Sequence, residues 1–102
     1  DQIIKYVCRE MKISERQILG KSRTMKVALA RQIAMFLSKE LTGASLANIG
    51  IHIGGRDHST VIHACKSIDK KAISDRDFQR KIENMKYEIS GQKVSTTEKG
   101  NT

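Results

Sequence analysis

The side chains most capable of chemistry in this chain belong to four consecutive polar residues. They lie between a pair of glycines and an apolar run: Asp57, His58, Ser59 and Thr60. Histidine, serine and threonine can donate hydrogen bonds to base acceptors or phosphates, and a threonine methyl can contact the C5-methyl of thymine. An aspartate would be repelled by phosphate, but it can accept a hydrogen bond from an amino group of cytosine or adenine. The alternative is that Asp57 only caps a helix, with Ser59 and Thr60 satisfying amides of its first turn.

The spacing within this cluster argues against metal binding and catalysis. Residues share a helix face at i, i+3 and i+4, whereas His58 and His63 are five positions apart and His63 and Cys65 only two. Asp57, His58 and Ser59 are adjacent, so their side chains diverge on a helix and cannot form a catalytic triad. We therefore expect neither a metal nor another cofactor here, and no enzyme activity.

The tripeptide Gly20-Lys21-Ser22 matches the end of a phosphate-binding P-loop by chance. That motif requires another glycine five residues before the glycine of the tripeptide, and it follows a strand. Glu15 occupies the required position and the flanking segments have a helical pattern. A nucleotide-handling enzyme is therefore the weakest of the functional alternatives.

A concentrated basic block lies among the 102 residues, whose formal net charge is +8. No acidic residue stands between Glu15 and Glu40, and six cations do: Arg16 and the five of the basic block, Lys21, Arg23, Lys26, Arg31 and Lys39. Such a block predicts a polyanionic partner, of which nucleic acid is the commonest. The alternatives are a solvated loop or a docking module for anionic lipid or a partner protein. Arg23, in a predicted basic loop at 20–26, is suited to a narrow minor groove.

The polar cluster opens the second helix of a predicted helix-turn-helix. Leu46, Ile49 and Ile53 recur at helical spacing and indicate a short first helix. Gly54-Gly55 supplies the positive φ of a sharp turn. The second helix, at about 57–72, would enter the DNA major groove with its N-terminus first, as recognition helices do. Gly50, inside the first helix, indicates close approach of a neighbouring element.

The rest of the chain predicts a six-helix, all-α domain. There is no proline, and β-branched residues do not alternate. Two of the remaining helices are expected at 2–12 and 27–41. A short helix should run from a Ser14 N-cap through Leu19 and end before Gly20, and a last helix should follow a Ser74 N-cap. The domain would span residues 1–90, and the polar composition of 91–102 predicts a disordered tail.

The two cysteines and the apolar stretches bear on the cellular compartment. Cys8 and Cys65 lie among apolar residues, which is typical of buried free thiols in a reducing cytosol. No apolar stretch approaches the ~18 residues of a transmembrane helix. We expect a cytoplasmic, nucleoid-associated protein.

The stretch IGIHIGGRDHSTVIHA, together with the basic loop and the segment ARQIAMFLSKELT, resembles the C-terminal DNA-binding domain of the bacterial replication initiator family DnaA. The resemblance covers residues 1–90. It implies a Trp-repressor-like helix-turn-helix fold that binds double-stranded DnaA boxes at the replication origin, as a monomer when isolated. It further implies that the full-length parent has an AAA+ ATPase domain that binds ATP, and that regulatory proteins can use the same surface.

The resemblance also assigns roles to individual positions. It implies that Arg23 enters the minor groove and that Asp57, His58 and Ser59 contact bases in the major groove. It also places several positions along the phosphates, to which we add the remaining cations of the loop and turn. The predicted phosphate contacts are then Lys21, Lys26, Arg31, Gln32, Lys39, Ser45, Leu46, Arg56, Thr60 and His63. Leu46 would contact phosphate through its backbone N–H.

Overall fold

The computed structural model describes the backbone of residues 2–101 and the side chains of residues 2–91. This part of the chain is all-helical, which confirms the predicted fold class. Its six helices are α1 (Gln2–Met11), α2 (Glu15–Leu19), α3 (Met25–Leu41), α4 (Leu46–His52), α5 (His58–Ser74) and α6 (Arg76–Asn101). Contacts divide the chain into two units, Asp1–Asp69 and Lys70–Thr102.

In the first unit, α3 is the central helix and packs against α1, α2 and α4. Its buried face includes Val27, Ala30, Ile33, Ala34 and Leu37, which recur at helical spacing. These aliphatic side chains form a core together with the buried aromatic side chains of Tyr6 and Phe36.

The start of α2 confirms the predicted capping box. The Ser14 hydroxyl accepts a bond from Gln17 N at 3.1 Å, and Ser14 N donates to Gln17 Oε1 at 2.9 Å. Gly20 follows as the C-cap. The helix therefore ends where the basic loop begins.

Two predicted boundaries were wrong. The basic loop ends at Thr24, because Thr24 is the N-cap of α3 and Ala28 N donates to its carbonyl oxygen. Lys26 consequently lies on the first turn of α3 rather than in the loop. Ser74 is the last residue of α5, and Asp75 caps α6 instead, with its carboxylate accepting from Phe78 N at 3.1 Å.

The turn between α4 and α5 has the backbone that the paired glycines predicted. Gly54 and Gly55 have φ of 81° and 68°, where a side chain would be strained. Gly50 also meets expectation, because a Cβ there would overlap the Arg56 carbonyl oxygen. The Arg56 amide donates to the Gly50 carbonyl at 2.8 Å, so backbone contacts backbone at this point.

Both cysteines are buried free thiols, as predicted. Burial raises the pKa of Cys8, and Glu15 adds to this effect. Burial is also the main cause of the raised pKa of Cys65. Neither thiol is poised to react in the folded protein.

The second unit contains the end of α5 and α6. Phe78, Ile82, Met85 and Ile89 form the predicted buried stripe of α6. The α6 backbone continues to Asn101, through most of the segment predicted as a tail. Because the side chains of 92–101 and all of Thr102 lie outside the described residues, the division into a domain and a disordered tail stays a prediction.

Candidate nucleic-acid interface

The polar cluster lies at the exposed N-terminus of α5. Asp57 is the residue before the helix, and its Oδ1 accepts from the Thr60 backbone N at 3.1 Å and from the Thr60 hydroxyl at 3.2 Å. This is the geometry of a helix N-cap. A carboxylate has two oxygens and about four acceptor positions, so capping leaves Asp57 able to accept from another donor. All four side chains of the cluster are exposed.

The electrostatics of Asp57 agree with its capping geometry. The Thr60 backbone N–H is the main cause of its lowered pKa, with further contributions from the hydroxyls of Thr60 and Ser59 and from His58. Asp57 is therefore ionised at neutral pH, which makes it an acceptor and never a donor.

The predicted phosphate-binding side chains differ in how accessible they are. The exposed ones are Lys21, Lys26, Lys39, Ser45, Thr60 and His63. Arg23, the predicted minor-groove residue, is also exposed. The partly buried ones are Arg31, Gln32, Leu46 and Arg56. Ser45 caps α4 by accepting from Asn48 N at 3.1 Å, which leaves its hydroxyl hydrogen available to a phosphate oxygen.

Arg31 is bound to the backbone at the end of α2 and in the basic loop. Its Nε donates to Ile18 O at 2.9 Å, and its terminal nitrogens donate to three further carbonyls: Gln17 O at 3.0 Å, Gly20 O at 3.1 Å and Ser22 O at 3.1 Å. These bonds occupy four of the five N–H groups of a guanidinium. Arg31 is thus held mainly by internal bonds, and its phosphate contact, for which one N–H remains, stays a prediction.

Arg56 is bound in a similar way. Its guanidinium donates to Ile53 O at 3.0 Å and to Gly20 O at 2.6 Å. The second bond joins the turn of the helix-turn-helix to the basic loop. The predicted phosphate role of Arg56 stays a prediction beside this internal bond.

The sequence that forms this exposed polar helix start and basic loop matches a known protein family. The family model described as "Bacterial dnaA protein helix-turn-helix" matches residues 1–68, which is more than half of the chain. The chain belongs to this DnaA helix-turn-helix family.

Relatives from several bacterial groups share the same region. Proteins named "Chromosomal replication initiator protein DnaA" are 46% identical over 89 residues in Chlorobaculum tepidum and 40% identical over 90 residues in Thermodesulfovibrio yellowstonii. These matches cover 87% and 88% of this chain, but only 18% and 20% of the relatives. In Bacteroides fragilis the identity is 38% over 99 residues, covering 97% of this chain and 21% of the relative. The chain therefore spans about a fifth of the length of the curated relatives it matches.

Membership of the DnaA helix-turn-helix family makes this a DNA-binding domain and a non-catalytic one. Within the residues that the structure describes, no group of three His, Cys, Asp or Glu side chains could hold a metal ion. A search of the same residues finds no helix with the length and apolar character to span a membrane.

In this DnaA-family domain, sequence reasoning missed the internal role of the two arginines. Arg31 was assigned to phosphate through the family resemblance, and Arg56 was added as a cation of the turn. Their actual partners are backbone carbonyls, which every residue has, so no residue type marked the contact in advance. The one signal in the sequence was that no acidic residue lies near Arg31 in the chain. Without a nearby carboxylate, carbonyl oxygens were the acceptors that the protein could offer to its guanidinium.

Proposed function

We propose that this domain binds double-stranded DnaA boxes, with α5 in the major groove and the basic loop in the adjacent minor groove. The observation that carries the proposal is the exposed Asp57–Thr60 cluster, joined through Arg56 to the loop that contains Arg23. Two elements that could occupy neighbouring grooves are thus parts of one unit.

In the major groove, His58 and Ser59 offer donors to base acceptors. Asp57 offers a charged acceptor to an amino group of cytosine or adenine. Thr60 donates its hydroxyl to Asp57 in the free domain, and on DNA that hydroxyl would turn to donate to a phosphate oxygen instead. The cluster therefore combines donors with an acceptor, as base reading requires.

In the minor groove, Arg23 would be attracted by the enhanced negative potential of a narrow A·T-rich tract. Other exposed side chains would contact the sugar–phosphate backbone on both sides. The proposed phosphate contacts are Lys21, Lys26, Gln32, Lys39, Ser45, Leu46, Thr60 and His63. The Leu46 amide lies at the first position of α4, where an N–H has no acceptor within the helix.

Within a longer initiator protein, this domain would hold the rest of the molecule on the replication origin. The nucleoid association, the ATP-binding AAA+ domain of the parent and any regulators sharing this surface belong to that proposal. The relatives carry the name of chromosomal replication initiators, which supports it.

The deciding experiment is a fluorescence-anisotropy titration against two duplexes of equal length and composition, one with a DnaA box and one scrambled. We expect a preference for the box that persists at higher salt, because base contacts are less sensitive to salt than phosphate contacts. His58→Ala should reduce that preference about tenfold. Lys39→Ala should weaken binding to both duplexes alike, and Lys5→Ala on α1 serves as the charge-matched control.

Equal and salt-sensitive binding to both duplexes would refute base reading. Stronger binding to phosphatidylserine vesicles than to either duplex would favour the lipid-docking alternative. In that case His58→Ala would have no effect, whereas Arg23→Ala and Lys26→Ala would release the domain from the vesicles.

A further inference from the structure

The carbonyl oxygen of Gly20 accepts hydrogen bonds from two arginines at once. Arg31 approaches it from α3 at 3.1 Å, and Arg56 approaches it from the turn before α5 at 2.6 Å. We infer that these two residues form an arginine clamp (Arg31 and Arg56 on Gly20 O) that sets the position of Arg23 relative to the Asp57–Thr60 cluster. This inference rests on the proposed function, in which both regions contact one DNA site.

Arg31 holds the backbone of the loop on both sides of Lys21. It donates to the carbonyls of Gly20 and Ser22, and Ser22 immediately precedes Arg23. Because these carbonyls have fixed partners, the loop is ordered before DNA arrives. A binding loop that is already ordered loses less conformational entropy on association.

Arg56 connects this ordered loop to the recognition helix. Its side chain binds Gly20 O, its amide binds Gly50 O, and the next residue is Asp57, the cap of α5. A displacement of the Arg56 guanidinium would therefore change the spacing between the loop and the helix start. That spacing decides whether the two elements can occupy neighbouring grooves together.

The close packing of Gly54 is an independent sign that the turn and the end of α2 are fitted to each other. A Cβ at Gly54 would lie 2.6 Å from Leu19 O and would overlap the Arg56 guanidinium. Only a residue without a side chain fits at this point of the turn, between Leu19 O and the Arg56 guanidinium. Arg56 and the bare glycine backbone hold the same two segments together.

A guanidinium is needed at both clamp positions for geometric reasons. Its planar fork donates in several directions at once, whereas a lysine ammonium is a compact charge on a flexible stem. The two cations also repel one another: burial is the main cause of the lowered pKa of Arg31, and Arg56 adds to it. Carbonyl oxygens at the end of α2, where the helix supplies too few N–H donors, offset that repulsion.

The test is a double-mutant cycle that combines Arg56→Lys with Arg23→Ala, read as affinity for the box duplex. Lysine keeps the charge but lacks the planar fork whose two terminal nitrogens donate separately to Ile53 O and Gly20 O. We expect Arg56→Lys to weaken box binding about tenfold in the otherwise unchanged domain, the loss expected of one well-placed groove contact. In the Arg23→Ala background the same change should cost less than about twofold, because a misplaced loop matters only when Arg23 is present.

A second readout tests the clamp without DNA. The ¹⁵N relaxation of the Lys21 and Arg23 amides should report a more mobile loop in Arg56→Lys than in the unchanged domain. Lys39→Gln is the matched control, because it removes a cation from α3 without a bond to the loop, and it should leave these amides unchanged. If Arg56→Lys does not fold, Arg31→Lys tests the same clamp, since it breaks the fork on Gly20 O and Ser22 O.

Three results would overturn the clamp: equal losses in both Arg23 backgrounds, full affinity in Arg56→Lys, or unchanged loop amides. Full affinity in Arg56→Lys would instead identify Arg56 as a phosphate contact for which charge is sufficient. Failure of the proposed function looks different. In that case Arg23→Ala alone would leave box binding unchanged, while the loop amides would still report whether the clamp orders the loop.

Discussion

At the scale of single residues, Asp57 combines two tasks that sequence reasoning had treated as alternatives. Its Oδ1 caps α5 through Thr60, and the side chain remains exposed at the position expected for base contact. The capping bonds also hold the carboxylate in one orientation. A side chain oriented in this way loses less rotamer freedom when it accepts a bond from a base.

The substitution Asp57→Asn separates these tasks. Asparagine caps helices about as well as aspartate, so α5 should stay folded, but it replaces one acceptor oxygen with a donor. We expect discrimination between the box and a duplex with one changed base pair to fall about tenfold to a hundredfold at the contacted base. Anisotropy titrations of both duplexes measure this. Retained discrimination would mean that Asp57 is only a cap.

The pH dependence of unfolding is the control for the capping role. The pKa of Asp57 is lowered in the folded protein, mainly by the Thr60 N–H. A lowered pKa means that the stabilisation is present above the pKa of the unfolded chain and is lost as pH falls through the folded pKa. The stability advantage of the unchanged domain over Asp57→Ala, which removes the cap, should therefore begin to fall below about pH 4 and be lost as the pH passes the folded pKa. Thermal unfolding followed by circular dichroism measures the difference.

At the scale of elements, the helix-turn-helix depends on a backbone contact between α4 and the residues before α5. Gly50 lies directly against the carbonyls of Arg56 and Asp57. This contact determines where α5 starts relative to α4. It also explains why a glycine, a poor helix former, lies inside α4.

Gly50→Ala should therefore destabilise the domain, by about 2 kcal/mol or more, because its Cβ requires backbone to move rather than a flexible side chain. Gly43→Ala is the matched control, since no atom lies within 4 Å of a Cβ at that position. Urea unfolding of the two variants gives the comparison. Equal free energies of unfolding in the two variants would show that α4 and α5 can move apart without a loss of stability.

At the scale of the whole molecule, the arrangement of charge matters more than the total of +8. The basic block lies within the first unit, and two arginines of that unit are bound internally. The cations that remain exposed for DNA are Lys21, Arg23, Lys26 and Lys39. We therefore expect fewer cationic contacts with DNA than the sequence suggests.

The salt dependence of DNA binding should reflect this smaller number. If these four cations each displace a counterion, log K should fall with log salt at a slope of about −3.6. If Arg31 and Arg56 also contacted phosphates, the slope would be about −5.4. Titrations with the scrambled duplex between about 50 and 200 mM NaCl distinguish these values. The steeper slope would contradict the internal role of the two arginines.

Much of this domain could be predicted from local sequence, because its signals act over a few residues. The Ser14–Gln17 capping box, the Gly54-Gly55 turn and the stripe of α6 were all correctly predicted. The errors at Met25 and Ser74 also have local causes. Thr24 and Asp75 were competing caps one or two residues away from the chosen boundary.

The partners of Arg31 and Arg56 depended on tertiary structure alone. The bond from Arg56 to Gly20 O spans 36 positions, and those from Arg31 span 9 to 14. Their acceptors are backbone carbonyls, which carry no residue-type signature and become specific only when the chain has folded. Residue types were therefore sufficient to predict a DNA-binding helix-turn-helix. The packed structure was needed to distinguish the exposed Arg23 from the two arginines that hold the loop, because all three carry the same charge.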